Sequence, residues 1–222
     1  MANKATSGPR NIALIGPYSS GKTTLLENLL SSAGAISRKG TVKEGNTVGD
    51  SSPEARSRNM SVEVSTATFE FGGETFSVLD CPGSLELLQE SLDVLIGVDA
   101  AVVVCEADAN RAIAMTPLLR FLDVHKIPFL VFVNKMDRLS EDLNAFVSVL
   151  GGLTKRPLAL RQIPLVEAEE VTGYVDVIHR RGHRYTSNEE SKPVDVPEAM
   201  QADLEATRTE LLEALADFDD TL

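Results

Sequence analysis

The 222 residues carry 21 basic and 33 acidic side chains, a formal net charge of −12, with 43% hydrophobic and 24% charged residues. That make-up suits a soluble globular chain of one large domain or one and a half, with apolar material for a sizeable core. The acidic balance argues against a general basic face for nucleic acid and leaves only docking through a local patch. The longest apolar runs, residues 100–105 and 129–133, are far shorter than the about 20 residues a membrane helix needs. Residues 1–10 are small and polar, and the apolar run after them is cut by Gly16 and Lys22. This reads as a flexible tail rather than a signal peptide. Cys81 and Cys105 lack metal-type spacing and are expected as reduced cytoplasmic thiols.

Residues 11–15 (NIALI) predict a strand that breaks at Gly16, and Gly21-Lys22-Thr23 follows at the spacing G-x-x-x-x-G-K-[ST] of a phosphate-binding loop. The residue types suit that chemistry. Gly16 and Gly21 let the backbone curl so that successive N–H groups meet an anion, with Ser19 and Ser20 in the curl. Lys22 offers a point charge to the outer phosphates, and the Thr23 hydroxyl can ligate Mg²⁺. A Leu-rich helix from Thr24 to Leu30 aims its positive end at the same phosphates.

Residues 31–59 are polar and without period, which predicts a long mobile loop. Residues 61–71 predict a strand whose parity changes between Val62/Val64 and Phe69/Phe71, through a bulge or through cover on both faces. Gly72-Gly73 predicts a hairpin turn, with the returning strand over 75–79. Leu85, Leu88, Leu92, Leu95 and Ile96 then predict one apolar stripe on a helix. Residues 100–105 read as a central parallel strand and 129–133 as a second buried one. Between them a helix starts near Thr116 as cap, with Pro117 in its first turn, and runs to about His125; a start near Asn110 with a kink at Pro117 is the alternative. Leu143, Phe146, Val147 and Leu150 mark a further helix, capped by Ser140, with Glu141 and Asp142 in its first turn and Gly151-Gly152 at its end. Alternating strands and helices predict an α/β fold with a mainly parallel, doubly wound sheet and ligands at the carboxyl ends of its strands.

The pattern changes after Lys155. Residues 157–166 and 174–178 predict short strands, with a turn at Arg181-Gly182. Residues 193–197 lead into a helix with Met200, Leu204, Leu211, Leu215 and Phe218 on one side. Its other side, Glu198, Asp203, Glu205, Glu210, Glu213 and Asp217, is most simply a solvated surface. Residues 156–222 thus read as a small α+β subdomain.

Two motifs sharpen the phosphate loop. Asp80-x-Pro-Gly83 ends an apolar strand, where the carboxylate can hold Mg²⁺ through water and the Gly N–H can face a terminal phosphate. Asn134-Lys135-x-Asp137 ends residues 129–133 on the same sheet edge. The Asp137 carboxylate can accept from the guanine N1–H and amino group, Asn134 can brace the loop and meet the base edge, and the Lys135 stem can lie over the ring. Adenine would leave the carboxylate unpaired, at a cost of about 1–3 kcal/mol or more. Singly each motif is usually a turn; in this order they specify a GTPase rather than an ATPase or a small-molecule kinase.

With these motifs the chain resembles the N-terminal part of a translational GTPase, elongation factor G and its elongation-factor-G-like paralogues. The resemblance rests on GPYSSGKTT (16–24), RNMSV (58–62), DCPGS (80–84) and NKMDR (134–138), and runs more weakly through PLALRQIP, GYVDVI and DVPEAM. It implies a P-loop NTPase (Ras-like GTPase) core over 11–155 and an inserted subdomain over 156–222. The implied ligands are GTP or GDP with Mg²⁺, and the implied partner of the full-length protein is the ribosome, with no membrane and no sequence-specific DNA. By the same resemblance residues 31–61 are switch I, Thr23, Ser61 and Asp80 hold the metal, and Lys22, Ser61, Gly83 and Ser84 stand at the catalytic positions. Ser84 replaces a family His that positions the attacking water; His125, His179 and His183 lie elsewhere. The guanine-contacting last strand of the family is not found after Asp137, so the chain is expected to be a fragment of a longer factor.

Overall fold

The computed structural model describes residues 10–49, 52–58, 60–138, 143–168, 170–186 and 189–216. The tail over 1–9, the Ser140 cap with Glu141 and Asp142, and Asp217 and Phe218 lie outside the described residues. Two compact units divide at Asn134/Lys135. The turn Met136–Arg138 lies against a strand of the second unit.

The first unit runs β1 (Arg10–Ile15), α1 (Lys22–Ser32), α2 (Pro53–Arg58), β2 (Ser65–Phe71), β3 (Glu74–Asp80), α3 (Leu88–Leu95), β4 (Ala100–Glu106), α4 (Ala109–Ile113), α5 (Thr116–Val124) and β5 (Phe129–Asn134). Its sheet has the order β2-β3-β1-β4-β5, with β2 antiparallel and the other neighbours parallel. The apolar β1 takes the centre, where helices cover both faces, and Ala13, Leu14 and Ile15 are buried there. Leu14, Leu26, Leu30, Ala67 and Val78 pack into one core.

Several local expectations change. The segment 31–59 is not structureless, since it holds a 3-10 turn at Val42–Glu44, capped by the Thr41 hydroxyl at 3.2 Å, and then α2. The buried Glu27 carboxylate of α1 fixes this segment by accepting from Gly40 N at 2.7 Å and Val48 N at 2.6 Å. β2 begins only at Ser65 and pairs with β3 in one unbroken register, so no bulge is needed; Val62 and Val64 precede the strand. Gly72 and Gly73 take φ 61° and 82°, as a tight hairpin turn requires. The stripe after Gly83 is interrupted because residues Leu85–Leu87 form a 3-10 turn, whose tighter period rotates Leu85 outward. Leu95 is fully buried, whereas Leu85 and Ile96 are exposed.

Between β4 and β5 both expected helix starts contain part of the answer. Asp108 caps the short α4, and α5 begins at Thr116 with Pro117 in its first turn. Pro117 has no N–H to extend the α4 ladder, so the chain breaks and restarts. Thr116 is not the cap; its hydroxyl donates to Ile113 O at 2.6 Å. β5 is the last strand of the sheet among the described residues, and Leu130 and Phe132 on it are exposed, so it is not the doubly covered strand expected.

The second unit comprises α6 (Leu143–Gly151), β6 (Gln162–Glu167), β7 (Glu170–Asp176), β8 (Arg181–Arg184), β9 (Lys192–Val194) and α7 (Gln201–Ala216). β6-β7-β8-β9 form an antiparallel meander, with Leu165, Val175 and Val177 packed on Leu204 and Leu211 of α7. The acidic side of α7 faces solvent at Asp203, Glu205, Glu210 and Glu213. Arg181-Gly182 lies within β8 rather than in a turn. The turn precedes it, where Arg180 has φ 54° and Asp176 accepts from His179 N at 2.8 Å and Arg161 Nη1 at 2.6 Å. Among the described residues no helix is long and apolar enough to cross a membrane.

Candidate functional site

The loop between β1 and α1 is shaped by backbone contacts that only particular residues allow. Gly16 has φ 137°, and a Cβ there would overlap the Val104 carbonyl oxygen of β4. Gly21, at φ 99°, lies against the Asn134 side chain. Asn134 Nδ2 donates to Ser20 O at 2.9 Å, so the end of β5 braces the loop. Ser19 also sits in the left-handed region, at φ 61°. α1 starts at Lys22 with Gly21 as N-cap and no side-chain cap. Its first N–H groups therefore face the hollow of the loop, as an anion site requires. Thr24 is exposed on that first turn.

Lys22 is buried at 6% exposure, and its Nζ donates to Gly16 O at 3.0 Å and Pro17 O at 3.1 Å. Burial pulls its pKa below the ordinary lysine value, with the nearby Asp80 charge opposing. Gly83, just past β3, comes close to this ammonium. A Cβ there would stand 2.5 Å from Lys22 Nζ and 2.7 Å from Tyr18 N. Thr23 Oγ1 donates to Asp80 Oδ2 at 2.6 Å and lies 3.3 Å from Ser61 Oγ. This donor set, two hydroxyls and a buried carboxylate, is all oxygen and fits a hard cation such as Mg²⁺. Among the described residues no group of three or more His, Cys, Asp or Glu offers an alternative metal site.

The Oγ atoms of Ser20 and Ser84 are buried without a hydrogen-bond partner. Ser84 lines a cavity of about 250 Å³ with Tyr18, Gly83, Leu88 and Met115. The fold therefore brings Gly16, Ser19, Ser20, Gly21, Lys22, Thr23, Thr24, Ser61, Asp80, Gly83, Ser84 and Asn134 to one end of the first unit. Lys135, at φ 58°, and the exposed Asp137, in the turn Met136–Arg138, belong to the second.

Two charged groups near the loop were not legible as such. Glu27 sits mid-helix in the sequence and gives no sign that it pins residues 40 and 48. Arg111 follows a cap signal at Asp108, yet nothing in the spacing shows that its guanidinium reaches the Tyr18 carbonyl.

Residues 8–216 match the family described as "Elongation factor Tu GTP binding domain". The chain belongs to that family. It is 46% identical, over its whole length, to an "Elongation factor G-like protein" from Synechocystis sp., of which it covers 33%. It is 28% identical over 215 residues to "Elongation factor G" from Thermotoga sp. (strain RQ2), with 96% of this chain and 31% of that protein covered. A crystal structure of a Thermus thermophilus protein superposes with a TM-score of 0.88 at 32% identity, covering 96% of this chain and 32% of that one. The chain thus spans about a third of the length of these relatives. The fold is a P-loop GTPase domain of the elongation factor G type.

Gly16→Ala should destabilise the domain by about 3 kcal/mol or more, since it adds a backbone overlap to an unfavourable φ; urea denaturation measures this. The two buried thiols make stability fall in alkali. Burial, aided by Asp80 for Cys81 and by Glu106 for Cys105, pushes both up to about 12 from 9.0. The folded chain keeps protons that the unfolded chain releases, so stability held below pH 9 declines as pH rises toward about 12. Each thiol contributes up to about 1.4 kcal/mol per pH unit. Denaturation at about pH 8 and about pH 10 should show the decline, and a Cys81→Ala, Cys105→Ala variant should lose this component.

Proposed function

We propose that this chain is the GTP-binding and GTP-hydrolysing domain of an elongation-factor-G-like translation factor that acts on the ribosome in the cytoplasm. The observation that carries the reading is the convergence, at the mouth of one loop, of the Lys22 ammonium, Gly83 and the Thr23–Asp80–Ser61 oxygens. The names of relatives support the ribosomal part: one, "Ribosome-releasing factor 2, mitochondrial" from Rattus norvegicus, is 33% identical over 230 residues.

In this reading the triphosphate lies in the loop, and the N–H groups of Ser19 to Thr24 bind its oxygens. Lys22 exchanges its contacts with the Gly16 and Pro17 carbonyls for the outer phosphates. Thr23, Ser61 and Asp80 would hold Mg²⁺, which when bound neutralises phosphate charge. Gly83 presents its N–H to the terminal phosphate, and Ser61 senses the same group through its hydroxyl. Binding therefore orders switch I and the segment from Asp80 through the following helix, and loss of that phosphate releases both. Asn134 braces the loop, while Lys135 and Asp137 choose guanine. Residues 11–155 form the nucleotide core and 156–222 the inserted subdomain.

Ser84 favours a second reading: a nucleotide-gated binding module with little hydrolysis. Its hydroxyl has no hydrogen-bond partner to align it, and losing a positioned catalytic group commonly costs roughly 10²–10³ in rate. Single-turnover hydrolysis by the full-length protein, with and without ribosomes, separates the two. Rapid ribosome-stimulated turnover is the expected result; tight GTP binding without turnover would establish the binding module. Asp137→Ala should weaken GTP binding by about tenfold or more in equilibrium titration while ATP affinity does not fall. Equal affinity of the wild type for ATP and GTP would overturn guanine selection.

A further inference from the structure

One charged group at the site has no part in the functions described so far. Arg111 is the third residue of α4, and its backbone is set by the Asp108 cap, which accepts from Asn110 N at 2.9 Å and Arg111 N at 3.2 Å. Its guanidinium bridges two partners. Nη1 meets Glu106 Oε1 at 2.6 Å, and Nη2 donates to the carbonyl of Tyr18 in the phosphate loop. Glu106 is the last residue of β4, two positions beyond the Val104 carbonyl that Gly16 packs against. The strand end therefore anchors a planar fork whose other arm grips the loop, a two-point hold that a lysine could not reproduce.

The gripped peptide is the one between Tyr18 and Ser19. Among the described residues there is no cis peptide bond, so the carbonyl and N–H of that peptide point in opposite directions. Holding the Tyr18 oxygen toward Arg111 turns the Ser19 N–H away from it. On the other side of Tyr18, its own N lies where Gly83 approaches, next to Lys22 Nζ. Arg111 thus acts on the segment of the loop that meets Gly83 and Lys22, at the end where the terminal phosphate sits in the proposed function. Its charge also bears on Lys22, lowering that ammonium's pKa.

We propose that Arg111, anchored by Glu106, is a positioning residue for the terminal phosphate that acts by orienting the Tyr18–Ser19 peptide. The proposal rests on the GTP reading above. It requires Arg111 to matter more for a triphosphate than for a diphosphate, which a merely structural role would not produce.

The test compares equilibrium affinities of the full-length protein for a non-hydrolysable GTP analogue and for GDP, so no hydrolysis is required. Arg111→Ala should weaken the GTP analogue about tenfold and GDP less than about twofold. Arg111→Lys should recover part of the difference. Glu106→Gln, which keeps side-chain size, should shift the same ratio in the same direction by a smaller factor, and it carries the test alone if Arg111→Ala does not fold. Equal losses for both nucleotides in a folded variant, or no loss for either, would overturn the proposal while leaving the GTP reading intact. A wild-type protein that binds neither nucleotide would overturn both.

Discussion

A buried cation governs this site. Lys22 is almost out of contact with water and, among the described residues, has two neutral carbonyls as direct partners, with the Asp80 charge nearby. An ammonium in that setting is poorly compensated, because carbonyl dipoles do not replace its hydration. Asp80 offsets part of this, but other neighbours add to it. The first turn of α1 presents N–H groups, Arg111 adds positive charge, and the close approach of Gly83 leaves no room for a side chain. Lys22, Arg111 and the N–H groups of the first turn thus gather positive charge at the loop inside a chain with a net charge of −12, and the loop geometry suits a phosphate.

The sheet makes this arrangement possible. Parallel strands deliver their carboxyl ends to one edge, so β1 feeds the loop, β3 delivers Asp80 and Gly83, β4 supplies the Val104 carbonyl and Glu106, and β5 supplies Asn134. Each contact is made by backbone or by a short side chain, so its geometry follows strand register closely. The two glycines of the loop are fixed by neighbours on other strands. Gly16 yields to the backbone of β4, and Gly21 to the side chain of Asn134. The loop, the Asp80 turn and the end of β5 form one mechanical unit.

The sequence made the phosphate loop, the Asp80–Gly83 turn and the strand–helix alternation readable, because each depends on local residue types: glycines where a side chain cannot fit, a lysine and threonine at fixed spacing after them, continuous apolar runs for covered strands. The features it concealed are those that depend on distant partners. Val62 and Val64 alternate like a strand, yet they precede β2, since pairing with β3 begins opposite Asp80. The apolar stripe after Gly83 ignores the 3-10 turn that rotates Leu85 away. Residues 129–133 are apolar enough for a central strand but sit at the end of the sheet among the described residues. Nothing in the spacing marks Glu27 or Arg111, and only the fold shows one pinning residues 40 and 48 and the other gripping Tyr18. Burial of a charge is set by what packs over it, which periodicity does not encode.

In the proposed function Lys22 waits for a phosphate. A crystal structure of the full-length protein with a GTP analogue and magnesium tests it most directly. The ammonium should leave the Gly16 and Pro17 carbonyls and bond an outer phosphate oxygen, with the Gly83 N–H on the terminal phosphate. Lys22 still closed on those two carbonyls, with the nucleotide bound elsewhere or not at all, would contradict it.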